Sequence, residues 1–245
     1  MEPSLRVHIA PVGYHFRRVT EPLIRMRADK VYLVSYRPDD NASEFFGRIK
    51  KHLSQSYKHI LIEERFTDLW DLYACLGVFG EIIRKELGNQ VFVNVSTGTK
   101  VTAIGGMLSC MFWGATPYYA RVAYAQAEPA KIPATEQVDD PDLLPVYDVR
   151  KPRPEFLLVL RQLAKHGGKM RKAQLIQALV EARVIAVRDE SKAELSRAAK
   201  HSQLRAILDP MRSEWKYIEI EARGRRSEVS LTDEGNTALK IFGSS

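Results

Sequence analysis

Between residues 5 and 124 the chain alternates short β-branched and aromatic runs with longer stretches of helical periodicity. That alternation restricts the fold more than any other feature. The strand-like runs are LRVHIAPV (5–12), KVYLVSY (30–36), HILIEERF (59–66), QVFVNVST (90–97) and TPYYARVAY (116–124). The spacing predicts helices between them. One lies near 17–27, with Val19, Leu23, Ile24 and Met26 as apolar positions. A second lies near 41–54, with Asp39, Asp40, Asn41 or Ser43 as cap candidates. A third runs from Asp68, a candidate cap, to Leu87, stopped by Gly88-Asn89, and a fourth spans 100–113, closed by Gly114. Units of this kind build a mostly parallel, doubly wound, Rossmann-like α/β sheet with helices on both faces.

Residues 126–141 carry three prolines and read as a surface loop, and DLLPVYDV (142–149) reads as a short strand returning to the sheet. KPRP (151–154) marks a boundary, giving domains 1–149 and 150–245. The second is mainly helical. PEFLLVLRQLAKHGG starts a helix at Pro154 and stops it at Gly167-Gly168. MRKAQLIQALVEARVI makes another. Over 192–215, Leu204, Ile207, Leu208, Met211 and Trp215 form a core face, with Pro210 a kink or break. YIEIEARGRRSEVSLTDEG then reads as a hairpin, and LTDEGNTALKIF as a last helix capped by Thr232 or Asp233. This order describes a winged helix-turn-helix domain.

Charge divides at the same boundary. Residues 1–149 hold 17 basic and 18 acidic side chains, a net of −1, whereas residues 150–245 hold 20 and 12, a net of +8. Such asymmetry directs the second domain toward a polyanion. No apolar run approaches the roughly 20 residues of a membrane helix, and no signal peptide is recognised, so a cytoplasmic protein without membrane contact is expected. Cys75 and Cys110 are far apart in apolar helical patterns and read as buried thiols. His166 and His201 read as surface or core residues. Glu63 and Glu64 are adjacent, so on a strand they face opposite sides of the sheet. No metal set is assembled, and no metal or cofactor is expected.

The chemistry concentrates in VFVNVSTGTKVTAIGG (91–106), where a buried strand runs into Ser-Thr-Gly-Thr-Lys and then into a helix. In an open α/β sheet ligands bind beyond the carboxyl ends of the strands, near the point where strand order reverses. Ser96, Thr97, Gly98, Thr99 and Lys100 would present there hydroxyls, free backbone N–H groups and one ammonium, a set suited to phosphate. The alternative is a helix cap made by Ser96 or Thr97, with Lys100 solvated. The turn matches neither GxxxxGK[ST] nor GxGxxG. Two other strand ends converge on the same edge: APVGYHFRR (10–18) brings Gly13, Tyr14, His15, Arg17 and Arg18, and SYRPDD (35–40) brings Tyr36 and Arg37. Aromatic faces and cations together favour a nucleotide-like ligand.

With APVGYHF, VNVSTGTKVTAIGGMLSCMFWGATPYYA and YIEIEARGRRSEVSLTDEGNTAL, the chain resembles the CARF (CRISPR-associated Rossmann fold) family fused to a winged helix-turn-helix, as in archaeal regulators of antiviral CRISPR defence. Many relatives carry a second glycine where this chain has Ser-Thr-Gly-Thr. The resemblance implies a homodimer binding a cyclic oligoadenylate, commonly cyclic tetra-adenylate, across its two-fold axis. Ser96, Thr97, Gly98, Thr99 and Lys100 would hold phosphates and riboses, the loop Pro11, Val12, Gly13, Tyr14 and His15 would cover the ring, and Tyr36 and Arg37 would approach from the second strand. Some relatives are ring nucleases, in which a ribose 2′-OH attacks the neighbouring phosphate. Ser96, Thr97 and Lys100 would then align and stabilise, with His15 the one candidate base. Otherwise no catalytic residue is assigned. A regulator of another nucleotide is the remaining alternative.

Double-stranded DNA is the partner expected of the basic half. Lys200, His201, Ser202, Gln203, Arg205 and Arg212 flank the apolar stripe of the recognition helix, and Arg223, Arg225 and Arg226 occupy the hairpin tip. A solvated basic face on a protein-binding module is the alternative.

Overall fold

The computed structural model describes residues 3–37, 42–123, 137–186, 197–221 and 227–243. The chain divides into two compact units, Met1–Val149 and Arg150–Ser245.

In the first unit β1 (Arg6–Pro11), α1 (Arg17–Arg25), β2 (Lys30–Ser35), α2 (Ser43–Ser56), β3 (Leu61–Phe66), α3 (Leu72–Lys85), β4 (Gln90–Asn94), α4 (Lys100–Trp113) and β5 (Thr116–Tyr119) follow in strict alternation. Short β6 (Val122–Ala123) and β7 (Gln137–Val138) pair with each other, and β8 (Asp142–Leu143) returns antiparallel to β5. The large sheet runs β3-β2-β1-β4-β5-β8, parallel except for β8. This is a doubly wound α/β sheet. Alternation along each strand sends Val7, Ile9, Tyr32, Val34, Val91 and Val93 into a core that includes Cys75, Phe79, Ile82 and Cys110 of α3 and α4. Ala10, Val31 and Leu33 face the other way, onto Val19, Leu23, Ile49 and Leu53 of α1 and α2.

The small residues of α4 are explained by this packing. A Cβ on Gly106 would lie 3.0 Å from a methyl of Val95 and 3.1 Å from one of Val93, so glycine lets the helix lie directly on β4. Both cysteines are free thiols buried in this core, and burial raises the Cys75 thiol to about 11.

Several boundaries differ from the pattern-based ones. Asp71, not Asp68, caps α3: its Oδ1 accepts the N–H groups of Tyr73 and Ala74 at 2.7 and 3.1 Å. Asp68 instead closes a turn by accepting the Trp70 N–H at 2.9 Å. The cap of α2 is Ala42, which has no side-chain oxygen to offer, and Asp39, Asp40 and Asn41 lie outside the described residues. β4 ends at Asn94 rather than 97, because Asn94 turns the chain with its own side chain.

The second unit has the order α5 (Pro154–Lys165), β9 (Lys169–Arg171), α6 (Lys172–Glu181), α7 (Arg197–Ser213), β10 (Ile218–Glu221), β11 (Glu228–Leu231) and α8 (Asp233–Phe242). β10, β11 and β9 form an antiparallel sheet over a core of Phe156, Leu160, Leu175, Leu204, Leu208, Met211 and Val229. That is the winged helix-turn-helix arrangement. MRKAQLI does not begin as helix: Lys169, Met170 and Arg171 pair with β11, a long-range bond that periodicity cannot reveal. Nor does Pro210 break α7, which continues through it to Ser213. Thr232 caps α8, its Oγ1 accepting the Gly235 N–H at 3.1 Å.

At the amino end of the parallel sheet an ion network joins β2 and β3 to the end of α3. Lys30 Nζ lies 2.8 Å from Glu86 Oε1 and 2.9 Å from Glu63 Oε1, and the Tyr32 hydroxyl donates to Glu86 Oε1 at 2.5 Å. The Asn89 amide also donates to Glu86, at 2.8 Å. Glu64 points to the other face and pairs with Lys50 of α2. The hydrogen bond from Lys30 outweighs burial and holds the Glu63 carboxyl down to about 2 against an ordinary 4.5. A depressed carboxyl stabilises the fold above its ordinary value, and that contribution disappears as pH falls through the depressed one. Melting of the first unit should therefore move to lower temperature between about pH 5 and about pH 2. The slope should be shallower in Glu63→Gln, read by circular dichroism at each pH.

Candidate ligand site and nucleic-acid interface

The strand order reverses between β1 and β4, so the chain leaves these neighbours toward opposite faces and a crevice opens at their carboxyl ends. Both sequence-predicted loops meet there. A Cβ on Gly13 would stand 3.4 Å from the Gly98 nitrogen, which puts the two backbones in contact. Gly98 has φ +80°, and a Cβ there would fall 2.4 Å from Thr102 Oγ1 and 3.0 Å from Pro11 Cβ. Only glycine meets both the left-handed backbone and the lack of space.

The hydroxyls of the turn are held by the protein itself. Asn94 Oδ1 accepts from the Ser96 N–H at 2.9 Å and the Ser96 hydroxyl at 2.6 Å, while its amide donates to the Arg18 carbonyl at 2.8 Å. Arg18 Nη1 donates to the Ser96 carbonyl at 3.4 Å. Thr97 is buried and donates to the Pro11 carbonyl at 2.7 Å. Thr99 is the cap of α4: its Oγ1 accepts the Thr102 N–H at 3.1 Å and donates to the Leu69 carbonyl at 2.7 Å. The cap is thus Thr99, not Ser96 or Thr97. Thr97 and Thr99 lock the turn to the end of β1 and to the loop after β3, Ser96 ties it to Asn94, and all three hydroxyls keep only acceptor capacity for a bound molecule.

What the turn presents outward is Gly98 and Lys100, both exposed. α4 opens on this lysine and has no acidic residue in its first turn. A cation beside the positive end of a helix dipole is unfavourable unless an anion lies between them. Backbone, dipole and ammonium here all favour the same charge.

Around the turn, Tyr14 is 62% exposed and packs edge-on against Phe45 at 5.7 Å. His15 is half-buried, whereas Pro11 and Val12 are buried and support the loop from beneath. At the end of β2, Arg37 lies 4.8 Å over the half-buried Tyr36 ring, which meets Trp70 edge-on at 5.0 Å. Trp70 is 61% exposed and was missed in the sequence. The one available signal was a tryptophan in a polar turn at a third strand end, FTDLWD.

In the second unit α7 turns Leu204, Ile207, Leu208 and Met211 inward, and exposes His201, Ser202, Arg205 and Arg212. His201, Ser202 and Arg205 line one groove of about 420 Å³, together with Lys172 at the start of α6, which sequence reasoning had not selected. Asp209 lines it as well. Lys200 is half-buried, and Gln203 is turned aside: its Oε1 accepts the Ala186 N–H at 3.0 Å. Arg223, Arg225 and Arg226 lie outside the described residues. Among the described residues no cluster of three His, Cys, Asp or Glu could hold a metal ion, and no helix is long and apolar enough to cross a membrane.

Replacing Thr97 by valine keeps its volume but leaves the Pro11 carbonyl without its donor. Denaturant unfolding of Thr97→Val should show a loss of about 1–3 kcal/mol, and Thr97→Ser should recover most of it.

Residues 6–124 match a family model described as HFX_2341_N-like, N-terminal, and residues 155–243 match the DUF6293 C-terminal winged helix domain. Protein MJ1513 of Methanocaldococcus jannaschii is 28% identical over an alignment 193 residues long, which covers 66% of this chain and 57% of that protein. The chain therefore spans little more than half the length of this relative. The structure of Enterococcus italicus Csm6 bound to cyclic hexa-2'-fluoro-hexa-dAMP aligns with 86% of this chain and 56% of that one, at 12% identity and TM-score 0.45. Can2 from Sulfobacillus thermosulfidooxidans, in complex with cyclic tetra-adenylate, aligns with 94% of this chain and 77% of that one, at 11% identity and TM-score 0.41. At these scores nothing about ligand or activity passes from either protein to this chain. The winged-helix match and the order of elements agree that residues 155–243 form a winged helix domain.

Proposed function

We propose that the protein is a DNA-binding regulator whose first unit senses a cyclic oligoadenylate, with cyclic tetra-adenylate the leading ligand, as part of CRISPR-linked defence. The observation that carries this reading is the Ser96–Lys100 turn at the switch point of the sheet. It is rigidly anchored, is glycine-opened, and places Lys100 at a helix N-terminus that has no acid of its own. The sequence resemblance supplies the identity of the ring. A two-fold symmetric ring suits a homodimer, since each copy of the turn meets an equivalent phosphate.

In the second unit α7 would enter the major groove, with His201, Ser202 and Arg205 toward bases or backbone and Lys172 on a phosphate. Ligand binding regulates only if the ring's affinity differs between arrangements of the two winged domains that do and do not fit the operator half-sites. Ring cleavage is not required. The Ser96 and Thr97 hydroxyls already donate to Asn94 and to the Pro11 carbonyl, which leaves Lys100 as the turn's exposed cation for stabilising charge.

Calorimetry should show cyclic tetra-adenylate binding to the intact protein, and Lys100→Ala should weaken it about 10- to 100-fold, the worth of one charged hydrogen bond. No heat with any oligoadenylate ring, from tri- to hexa-adenylate, would remove the reading. In gel-shift titrations on double-stranded DNA, saturating ring should displace the binding curve, and identical curves would exclude the coupling. Arg205→Ala with Lys172→Ala should weaken DNA binding and flatten its salt dependence, while leaving ring binding unchanged.

A further inference from the structure

Trp70 is the least accounted-for large side chain on the first unit. Tryptophan is highly buried on average, yet this ring is 61% exposed on a backbone that is held tightly. Leu69 beside it is buried, and its carbonyl receives the Thr99 hydroxyl at 2.7 Å. The Trp70 N–H donates to Asp68 at 2.9 Å, and Asp71 fixes the following helix with two further bonds. The turn that carries the ring is therefore bolted directly to the anion-favouring turn. Tyr36 braces the indole edge-on at 5.0 Å and 89°, and the Arg37 guanidinium covers Tyr36 at 4.8 Å.

A flat aromatic face fixed beside a cationic turn meets the two chemistries of a nucleotide, a base with its π-face and a phosphate with its charge. Stacking on an indole contributes substantially for any base, because every base has such a face. A preorganised ring loses little freedom on binding. The geometry points to Trp70 as a base-stacking residue of the ligand site, with Tyr36 as the positioning residue that sets its plane. This inference rests on the nucleotide reading above and adds a specific prediction to it: affinity for the base is carried by the loop after β3, separately from affinity for phosphate.

The test uses the full chain, cyclic tetra-adenylate and inorganic tripolyphosphate. Cyclic tetra-adenylate should quench tryptophan fluorescence, and the quenching should vanish in Trp70→Phe while affinity changes only a few-fold. Trp70→Ala should weaken the ring about tenfold or more, as expected for loss of one stacked base. It should leave tripolyphosphate binding at its parental level, and that binding should still depend on Lys100. Tyr36→Ala should retain tripolyphosphate binding but reduce the quenching. Because the ring is exposed, Trp70→Ala should melt with the parent, which separates lost stacking from misfolding. If the parent binds the ring and Trp70→Ala binds it equally well, the stacking role is wrong and the nucleotide reading survives. If the parent binds no ring at all, the reading itself fails. A change of oligomeric state in Trp70→Ala, seen by sedimentation, would reassign the indole to a subunit contact and overturn the inference.

Discussion

The buried hydrogen bond from Thr97 to the Pro11 carbonyl holds the rest of the site in place. It spans the point where strand order reverses, the one place in a doubly wound sheet where neighbouring strands send their loops apart. The Asn94 amide, on the Arg18 carbonyl, crosses the same gap beside it. With both bonds, Gly13 and Gly98 touch through their backbones, Asn94 fixes Ser96, and Thr99 ties the start of α4 to the turn after β3. A site made of short hydroxyl side chains is rigid because each hydroxyl is already spent on the protein.

The first unit keeps stability and recognition at opposite ends of its parallel strands. At the amino end Lys30, Tyr32, Glu63 and Glu86 form a network in which partly buried charges are paired, and Asn89 and Arg65 satisfy remaining lone pairs. Breaking one partner of such a network leaves a partly buried charge uncompensated. At the carboxyl end the exposed groups include Lys100, Arg37, Tyr14 and Trp70, and Asp68 and Asp71 beside Trp70 accept backbone N–H groups. The same sheet thus supports a fixed base and an open rim. In the winged unit one apolar stripe of α7 builds the core, and His201, Ser202 and Arg205 on its exposed side line a groove with Lys172 of α6 and Asp209.

The parallel sheet could be read from the sequence because alternation, β-branched runs and glycine stops are local signals, and α4 ended at Gly114 as its pattern required. Boundaries set by side-chain bonds could not be read so well. Asp68 and Asp71 look equally suited to cap α3, and only the path of the turn decides that Asp71 does so. β9 was hidden inside a helical pattern because its partner, β11, lies about 60 residues away. In the site, residue types and their common edge were legible, whereas the orientation of each hydroxyl was not.

By itself the sequence determined which strand ends carry polar, cationic and aromatic residues, that a glycine must open the fourth-strand turn, and that positive charge belongs to the second half. Those properties follow from local backbone conformation and composition, which neighbours a few residues away are enough to set. Tertiary structure alone decided that Thr97 and Thr99 bind carbonyls 86 and 30 residues distant, that Gln203 turns away from the groove, and that Trp70 stands braced by Tyr36 beside the lysine turn. Each of these is a contact between segments brought together only when the sheet and its helices pack, so no local pattern could contain it.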